Sequence, residues 1–200
     1  MTPAEIAARL KRAVGRKKRI LIGIAGAPGS GKSTLAEQVR EALGPDAVVV
    51  PMDGFHFDDV ILNARGDRPR KGAPHTYDVA GFEVLLKRIK AREADIAIPV
   101  FDRAQEHSRA GASIISRDAK FILVEGNYLL LKMAGWKKLK PLFDFTIFLE
   151  VPFTELERRL LSRWHGFGFD EKDAKAKALG NDIPNARLVV AQSATADIML

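Results

Sequence analysis

The stretch Gly26-Ala27-Pro28-Gly29-Ser30-Gly31-Lys32-Ser33 decides the fold and the position of the main binding site. It has a glycine, four free positions and then Gly-Lys-Ser, which is the pattern of the phosphate-binding P-loop. In such a loop the backbone N–H groups surround a phosphate, the lysine reaches the outer phosphates and the serine hydroxyl binds Mg²⁺. The motif therefore predicts a nucleotide and Mg²⁺, held by these eight residues and by Thr34, which follows them.

The residues on either side of the loop support this interpretation over a glycine turn that precedes a lysine by chance. Residues 19–25 are an apolar run, which predicts a buried strand. Residues 32–43 place Leu35, Val39 and Leu43 at helical spacing and are followed by Gly44-Pro45, which predicts a helix and its end. Strand, loop and helix come in the order that a P-loop requires.

Alternating elements along the rest of the chain predict a single α/β domain over residues 1–200. Further strands are expected at 47–52, 96–101, 121–124, 145–151 and 196–200, and further helices at 3–14, 78–91, 154–164, 170–177 and 185–191. Two polar segments, 63–77 and 102–109, lack periodicity and are expected to be binding loops or lids. The predicted architecture is a three-layer P-loop NTPase fold with a mostly parallel central sheet.

Composition limits the kinds of partner. The net charge is +7, but the basic residues are spread over four clusters without interleaved aromatic residues, so a small anion is expected rather than nucleic acid. No apolar run approaches the roughly 20 residues that span a bilayer, and the first residues lack the regions of a signal peptide. Together with the absence of cysteine, this predicts a soluble cytoplasmic protein with no membrane partner.

Two acidic residues directly follow predicted strands. Asp53 follows residues 47–52 and Glu125 follows residues 121–124. Because ligands of open parallel sheets bind at the carboxyl ends of the strands, Asp53 is expected where a catalytic group belongs. Glu125 has the position of a Walker B acid, which supports Mg²⁺ or its bound water.

A pair of arginines points to a lid. Residues 154–157 have the pattern of a capping box, which predicts the start of the helix at 154–164. On this helix Arg159 and Arg163 are four residues apart and share a face. Two guanidinium groups on one face can clamp phosphoryl oxygens. With the charged helix at 170–177, this predicts a helical arginine lid over approximately residues 154–180.

Together these motifs resemble the phosphoribulokinase, uridine kinase and pantothenate kinase group of P-loop kinases over almost the whole chain. Met52-Asp53-Gly54-Phe55-His56 and Arg70-Lys71-Gly72 look most like bacterial pantothenate kinases, which are considerably longer. Asp102 with His107 and Arg109 looks like uridine kinases, although His107 stands one residue further from the aspartate than is usual there. The overall layout is similar to short bacterial members, some of them described as sugar or fructose kinases.

The resemblance implies an ATP-dependent kinase acting on a hydroxyl of a small metabolite: a sugar such as fructose, a nucleoside such as uridine, glycerate or a pantothenate-like alcohol. The expected catalytic residues are Lys32, Asp53, Glu125, Arg159 and Arg163. Ser33 and Glu125 are expected to support Mg²⁺. The expected acceptor pocket comprises Asp53, His56, Tyr77, Arg103 and His107.

Each role has an alternative. Asp53 could only cap a helix or bind Mg²⁺, Glu125 could act through a metal-bound water, and the two arginines could form a solvated face. The two histidines and Tyr77 could be structural. The alternative function is a P-loop NTPase or nucleotide-sensing regulator without a phosphorylated product. ATP or GTP preference and the oligomeric state stay open, with a homodimer as one option.

Overall fold

A five-stranded parallel sheet forms the centre of the computed structural model, which describes residues 1–15 and 17–200. Its strands are β1 (Ile20–Gly26), β2 (Ala47–Pro51), β5 (Phe121–Gly126), β6 (Phe145–Leu149) and β7 (Ile198–Met199), in the order β2-β5-β1-β6-β7. β3 (Ile96–Asp102) and β4 (His107–Ile115) form a separate antiparallel hairpin. All pairings in the main sheet are parallel, as predicted.

Helices cover both faces of this sheet. They are α1 (Pro3–Val14), α2 (Lys32–Leu43), α3 (Asp59–Arg65), α4 (Val79–Lys90), α5 (Phe153–Gly166), α6 (Glu171–Lys177) and α7 (Ile183–Gln192). Successive side chains of a strand point to opposite faces, so Ile20 and Ile22 pack with α1 and α2 while Leu21 packs with α4. The predicted three-layer α/β fold with a mostly parallel sheet is confirmed. Within the described ranges, no helix has the length and apolar character that crossing a membrane requires.

The arginine-bearing segment lies beyond β6. α5, α6 and a π-helical turn (Ala178–Asp182) occupy the range predicted as the lid. The predicted capping box at residues 154–157 is wrong: α5 begins at Phe153 after Pro152 and has no side-chain cap. Glu155 pairs instead with Arg158 and Arg159 on the next turn of the same helix.

Two elements were not predicted from the sequence, and each overlaps one end of a segment predicted to be irregular. β4 takes up part of the polar segment 102–109, but residues 109–114 are exposed, so the sequence shows no alternation of buried and exposed positions. α3 spans Asp59–Arg65 and overlaps the first three residues of the segment 63–77; Leu62 is its one buried residue. A short helix with one buried residue carries too little apolar periodicity to be recognised.

Candidate active site

The P-loop forms a cradle between β1 and α2. Gly29 and Gly31 have φ angles of 80° and 92°, which residues with a Cβ atom rarely adopt. A Cβ atom on Gly26 would lie 2.6 Å from Ser30 Oγ and 3.2 Å from the Leu149 carbonyl oxygen, so a larger residue there would force the loop to shift. The Ser30 hydroxyl is buried and has no hydrogen-bond partner among the described residues. A cradle of backbone at a helix N-terminus with an unsatisfied hydroxyl fits a phosphate group.

Lys32 and Glu125 form the charged centre of the site. Glu125 is in register with Ile24 on β1 and with Pro51 on β2, so it lies at the end of the sheet beside the loop. Burial lowers the pKa of Lys32, while Glu125 and Asp53 oppose that shift. Burial raises the pKa of Glu125, opposed by Lys32. Burying either charged group without the other would therefore cost free energy, and an added phosphate would stabilise the Lys32 ammonium group further.

Asp53 lies in the 3₁₀ turn Met52–Phe55 that directly follows β2. Arg103 Nη2 donates a hydrogen bond to Asp53 Oδ2 at 2.6 Å, and the Tyr77 hydroxyl donates to Oδ1 at 3.4 Å. Burial raises the pKa of Asp53, but the neighbouring His56, Arg103 and Lys32 outweigh burial and the pKa is lowered. Asp53 is therefore ionised near neutral pH and can accept a proton.

His56 and Tyr77 pack beside Asp53. The His56 Nδ1 atom lies 2.8 Å from the carbonyl oxygen of Asp53, which assigns the proton to Nδ1 and leaves Nε2 as an acceptor. The His56 ring lies 4.0 Å from the Tyr77 ring and 4.8 Å from the Phe101 ring, measured between centroids. Burial lowers the pKa of His56, partly offset by Asp53, so its ring is neutral near pH 7. Packing and a backbone contact thus hold His56 next to the candidate base.

The β3–β4 hairpin brings Arg103 to this cluster and leaves His107 at its closed end. His107 stands opposite Asp102 in the hairpin register. Within residues 1–15 and 17–200, the His107 side chain has no hydrogen bond or ion pair, whereas Arg103 reaches Asp53 from the same turn. The geometry therefore connects Arg103, rather than His107, to the candidate base.

Arg159 of α5 contacts the P-loop, and Arg163 lines the cleft over it. Arg159 Nη1 donates to the carbonyl oxygens of Gly29 and Ser30 at 3.4 and 3.3 Å. Burial lowers the pKa of Arg163, and Asp182 opposes that shift. A cleft of about 420 Å³ lies over the loop, lined by Gly29, Gly31, Lys32, Ser33, Thr34, Arg103, Arg159, Arg163 and Phe167. Both arginines therefore line the cleft and are not part of a purely solvent-facing surface of α5.

A Mg²⁺ site fits this cleft when it is shared with a nucleotide. Among the described residues, no group of three His, Asp or Glu side chains is placed to hold a metal alone. Protein Mg²⁺ sites at phosphates commonly use one or two protein ligands, and phosphate oxygens and water supply the rest. Ser33 lines the cleft, and a hydrogen bond from its side chain opposes the rise that burial causes in the pKa of Glu125, so the two residues that the sequence proposes for Mg²⁺ are neighbours.

Lys71 has a structural role that its sequence motif does not indicate. Its side chain is only 7% exposed, and Nζ donates to Asp59 Oδ1 at 2.7 Å and to the Glu106 carbonyl oxygen. The Lys71 carbonyl oxygen accepts a hydrogen bond from Asn181 Nδ2 at 2.8 Å. This segment therefore joins α3, the hairpin and the π-helical turn. In the sequence Lys71 is only a basic residue beside Gly72, and that pattern does not indicate that its side chain is buried.

Comparisons with known proteins agree with this geometry. The model of the Phosphoribulokinase / Uridine kinase family matches residues 21–163. A crystal structure from Silicibacter sp. TM1040, described as a "putative fructose transport system kinase", is 41% identical, covers 100% of this chain and 99% of its own, and has a TM-score of 0.95. YggC of Escherichia coli K12, named an uncharacterized protein, is 34% identical over 94% of this chain and 79% of its own length. A Schizosaccharomyces pombe protein named "Putative uridine kinase C227.14" is 32% identical over 92% of this chain and 83% of its own length.

Proposed function

The chain belongs to the phosphoribulokinase/uridine kinase family of P-loop kinases, and on that premise we propose that it transfers the γ-phosphate of ATP to a hydroxyl of a small metabolite. The observation that carries the proposal is the position of Asp53. An ionised carboxylate at the end of β2 is bonded at 2.6 Å to Arg103, which lines the cleft over the phosphate loop, and it acts electrostatically on Lys32 of that loop, so a base lies beside the phosphate site. A hydrolase that only senses nucleotide has no need of a base beside a separate acceptor pocket.

The residues divide into a donor side and an acceptor side. When bound, ATP supplies the transferable phosphoryl group and Mg²⁺ neutralises charge on its oxygens. The loop amides and Lys32 hold the phosphates, and Ser33 and Glu125 support the metal. Asp53 orients the acceptor hydroxyl and takes its proton, as a general base.

The arginines of α5 close the donor side. Arg159 already contacts the loop carbonyl oxygens, and Arg163 lies in the same cleft. Positive charge fixed where negative charge develops stabilises the transition state without reorganisation during the reaction. Opening and closing of residues 154–180 as a lid is part of the proposal.

We propose fructose and uridine as the first acceptors to test, because two relatives carry those names. Pantothenate and D-glycerate complete the panel. His56, Tyr77 and His107 are proposed to line the acceptor pocket, where the Nε2 atom of the neutral His56 ring offers a hydrogen-bond acceptor. The cytoplasmic location expected from the sequence belongs to the same proposal.

The test is ADP release from MgATP with and without each acceptor, with product identified by mass spectrometry. One acceptor should stimulate ADP release and appear as its phosphate ester. The Lys32→Ala variant should lose this turnover, because no other side chain of the loop is positively charged and able to contact the outer phosphates. ADP release that no acceptor stimulates, but that a protein partner does, would instead support a nucleotide-dependent regulator.

A further inference from the structure

Arg103 connects the candidate base to the phosphate cleft. It lies in the turn between β3 and β4, and its Nη2 atom donates to Asp53 Oδ2 at 2.6 Å. Its side chain is 57% exposed, whereas that of Asp53 is 23% exposed. Arg103 also lines the cleft over the P-loop together with Lys32 and Arg163. One guanidinium group therefore touches the acceptor side and the donor side of the site.

The ion pair occupies an atom that the reaction needs. A carboxylate accepts through both oxygens, and Tyr77 already approaches Oδ1 of Asp53 while Arg103 is bound to Oδ2. A general base must be within about 2.6–3.2 Å of the hydroxyl whose proton it takes. An acceptor hydroxyl that binds on the Arg103 side of the carboxylate has to displace Arg103 from Oδ2 or share that oxygen with it.

The charges of the cleft determine where a displaced Arg103 is stable. Lys32, Arg159 and Arg163 already bring positive charge to the loop, and Arg103 is among the groups that lower the pKa of Lys32 and of Arg163. Away from Asp53, the Arg103 guanidinium is repelled by these cations. It is stable there only against an oxyanion, which at this position is a phosphoryl group.

The required distances place that phosphoryl group within reach. Reacting atoms in a near-attack geometry are about 3–3.5 Å apart, so the phosphorus lies about that far from the acceptor oxygen held by Asp53. A guanidinium bound to Asp53 then needs only a side-chain rotation to contact an equatorial phosphoryl oxygen. The planar fork of five N–H donors matches such oxygens in a bidentate manner.

We propose that Arg103 leaves Asp53 for the transferred phosphoryl group when the acceptor hydroxyl binds to Asp53, which makes Arg103 an acceptor-gated catalytic residue. This rests on the proposed kinase function. The acceptor O–H proton goes to the Asp53 carboxylate and the acceptor oxygen bonds to phosphorus. The bond from phosphorus to the β-phosphate oxygen breaks, and ADP leaves with that electron pair. Arg103 stays protonated throughout and stabilises the charge on the phosphoryl oxygens.

The exchange has a second consequence for ATP alone. Without an acceptor, Arg103 holds Asp53 and keeps it from activating water, so hydrolysis of ATP is suppressed. Removing the guanidinium should therefore change two rates in opposite directions: phosphoryl transfer to the acceptor falls and acceptor-independent hydrolysis rises. A residue that only binds the acceptor would raise KM and leave hydrolysis unchanged.

The experiment compares Arg103→Ala, Arg103→Lys and the control Arg117→Ala with the unmodified protein. Arg117 is an exposed residue in the turn after β4, outside both sides of the cleft. For Arg103→Ala we expect kcat with the acceptor to fall about a thousandfold, as for other arginines that act on a transferred phosphoryl group, with acceptor KM changed less than about threefold. Hydrolysis without acceptor should rise severalfold. Arg103→Lys should lie between, since it keeps the charge and loses the fork.

Thermal unfolding of each variant controls for folding, and the exposed Arg103 side chain should leave the midpoint unchanged. If a wild-type protein phosphorylates no acceptor of the panel, the proposed function fails. If it phosphorylates one and Arg103→Ala retains kcat while KM rises, only this inference is overturned and Arg103 is an acceptor-binding residue. A fall in kcat without a rise in hydrolysis also overturns the exchange.

Discussion

Replacing Asp53 by asparagine tests the assignment of the general base. The change keeps the size of the side chain and removes its charge and its ability to take a proton. General-base catalysis contributes about 10²–10⁴-fold, so kcat should fall by that factor, equivalent to about 3–5.5 kcal/mol in the activation free energy. Folding should suffer little, because the partner Arg103 is 57% exposed and such ion pairs contribute at most about 1 kcal/mol.

The assay is steady-state ADP release with the identified acceptor, combined with ATP binding by calorimetry and thermal unfolding. Asp58→Asn is the matched control: Asp58 caps α3 through the backbone N–H of Val60 at 2.9 Å, and asparagine caps a helix equally well. Because the pKa of Asp53 is lowered, the unmodified protein should lose activity only as pH falls through that low pKa, below the ordinary range of aspartate. Asp53→Asn with near-normal kcat and a raised acceptor KM would show that Asp53 binds the acceptor without taking its proton.

Two further substitutions test the phosphate loop and the segment that joins the hairpin to the rest of the site. Gly31→Ala should lower the free energy of unfolding by about 1–2 kcal/mol and weaken ATP binding, because φ is 92° there. The control Gly44→Ala, where φ is 96° at the other end of α2, should lose the same stability in urea unfolding and keep its ATP affinity. Equal ATP affinity in the two variants would contradict the role of the loop. Lys71→Met should lower the free energy of unfolding by about 1–3 kcal/mol, because the contact with Asp59 is lost. The control Lys87→Met, at a surface position, should not change that free energy measurably. Equal urea midpoints for the two variants would show that the Lys71 contacts do not stabilise the fold.

The sequence predicts those parts of the fold that depend on local patterns. The apolar run of β1, the glycines of the loop and the periodicity of α2 lie within 24 residues of one another, so the central βα unit follows from adjacent positions. β4 could not be predicted in the same way, because an exposed strand of a two-stranded sheet has no buried face that imposes alternation. The capping box at residues 154–157 failed since a short motif fits by chance, and the fixed φ of Pro152 favours an earlier start.

The composition of the candidate site could be predicted, but its internal contacts could not. Asp53, Glu125 and the arginines of α5 were recognisable from their positions after strands or on one helix face. The contact between Arg103 and Asp53 joins residues that are 50 positions apart. It depends on the close packing of the hairpin, which Gly54 permits, since a Cβ atom there would collide with the Pro99 carbonyl oxygen of β3. A contact set by the approach of two backbones leaves no pattern in either segment alone.

The contacts that hold the proposed acceptor side in place are made to main-chain carbonyl oxygens. Lys71 donates to the Glu106 carbonyl oxygen of the hairpin, Arg70 donates to the Gly180 carbonyl oxygen at 3.0 Å, and Asn181 donates to the carbonyl oxygen of Lys71. Because carbonyl oxygens are present whatever the side chain, substitutions at positions 106 and 180 leave these bonds intact. The hairpin side chains that are proposed to face an acceptor can therefore differ between proteins while the position of the hairpin relative to Asp53 and α5 is retained. This gives a physical reason why one family can keep its phosphate site and use different acceptors.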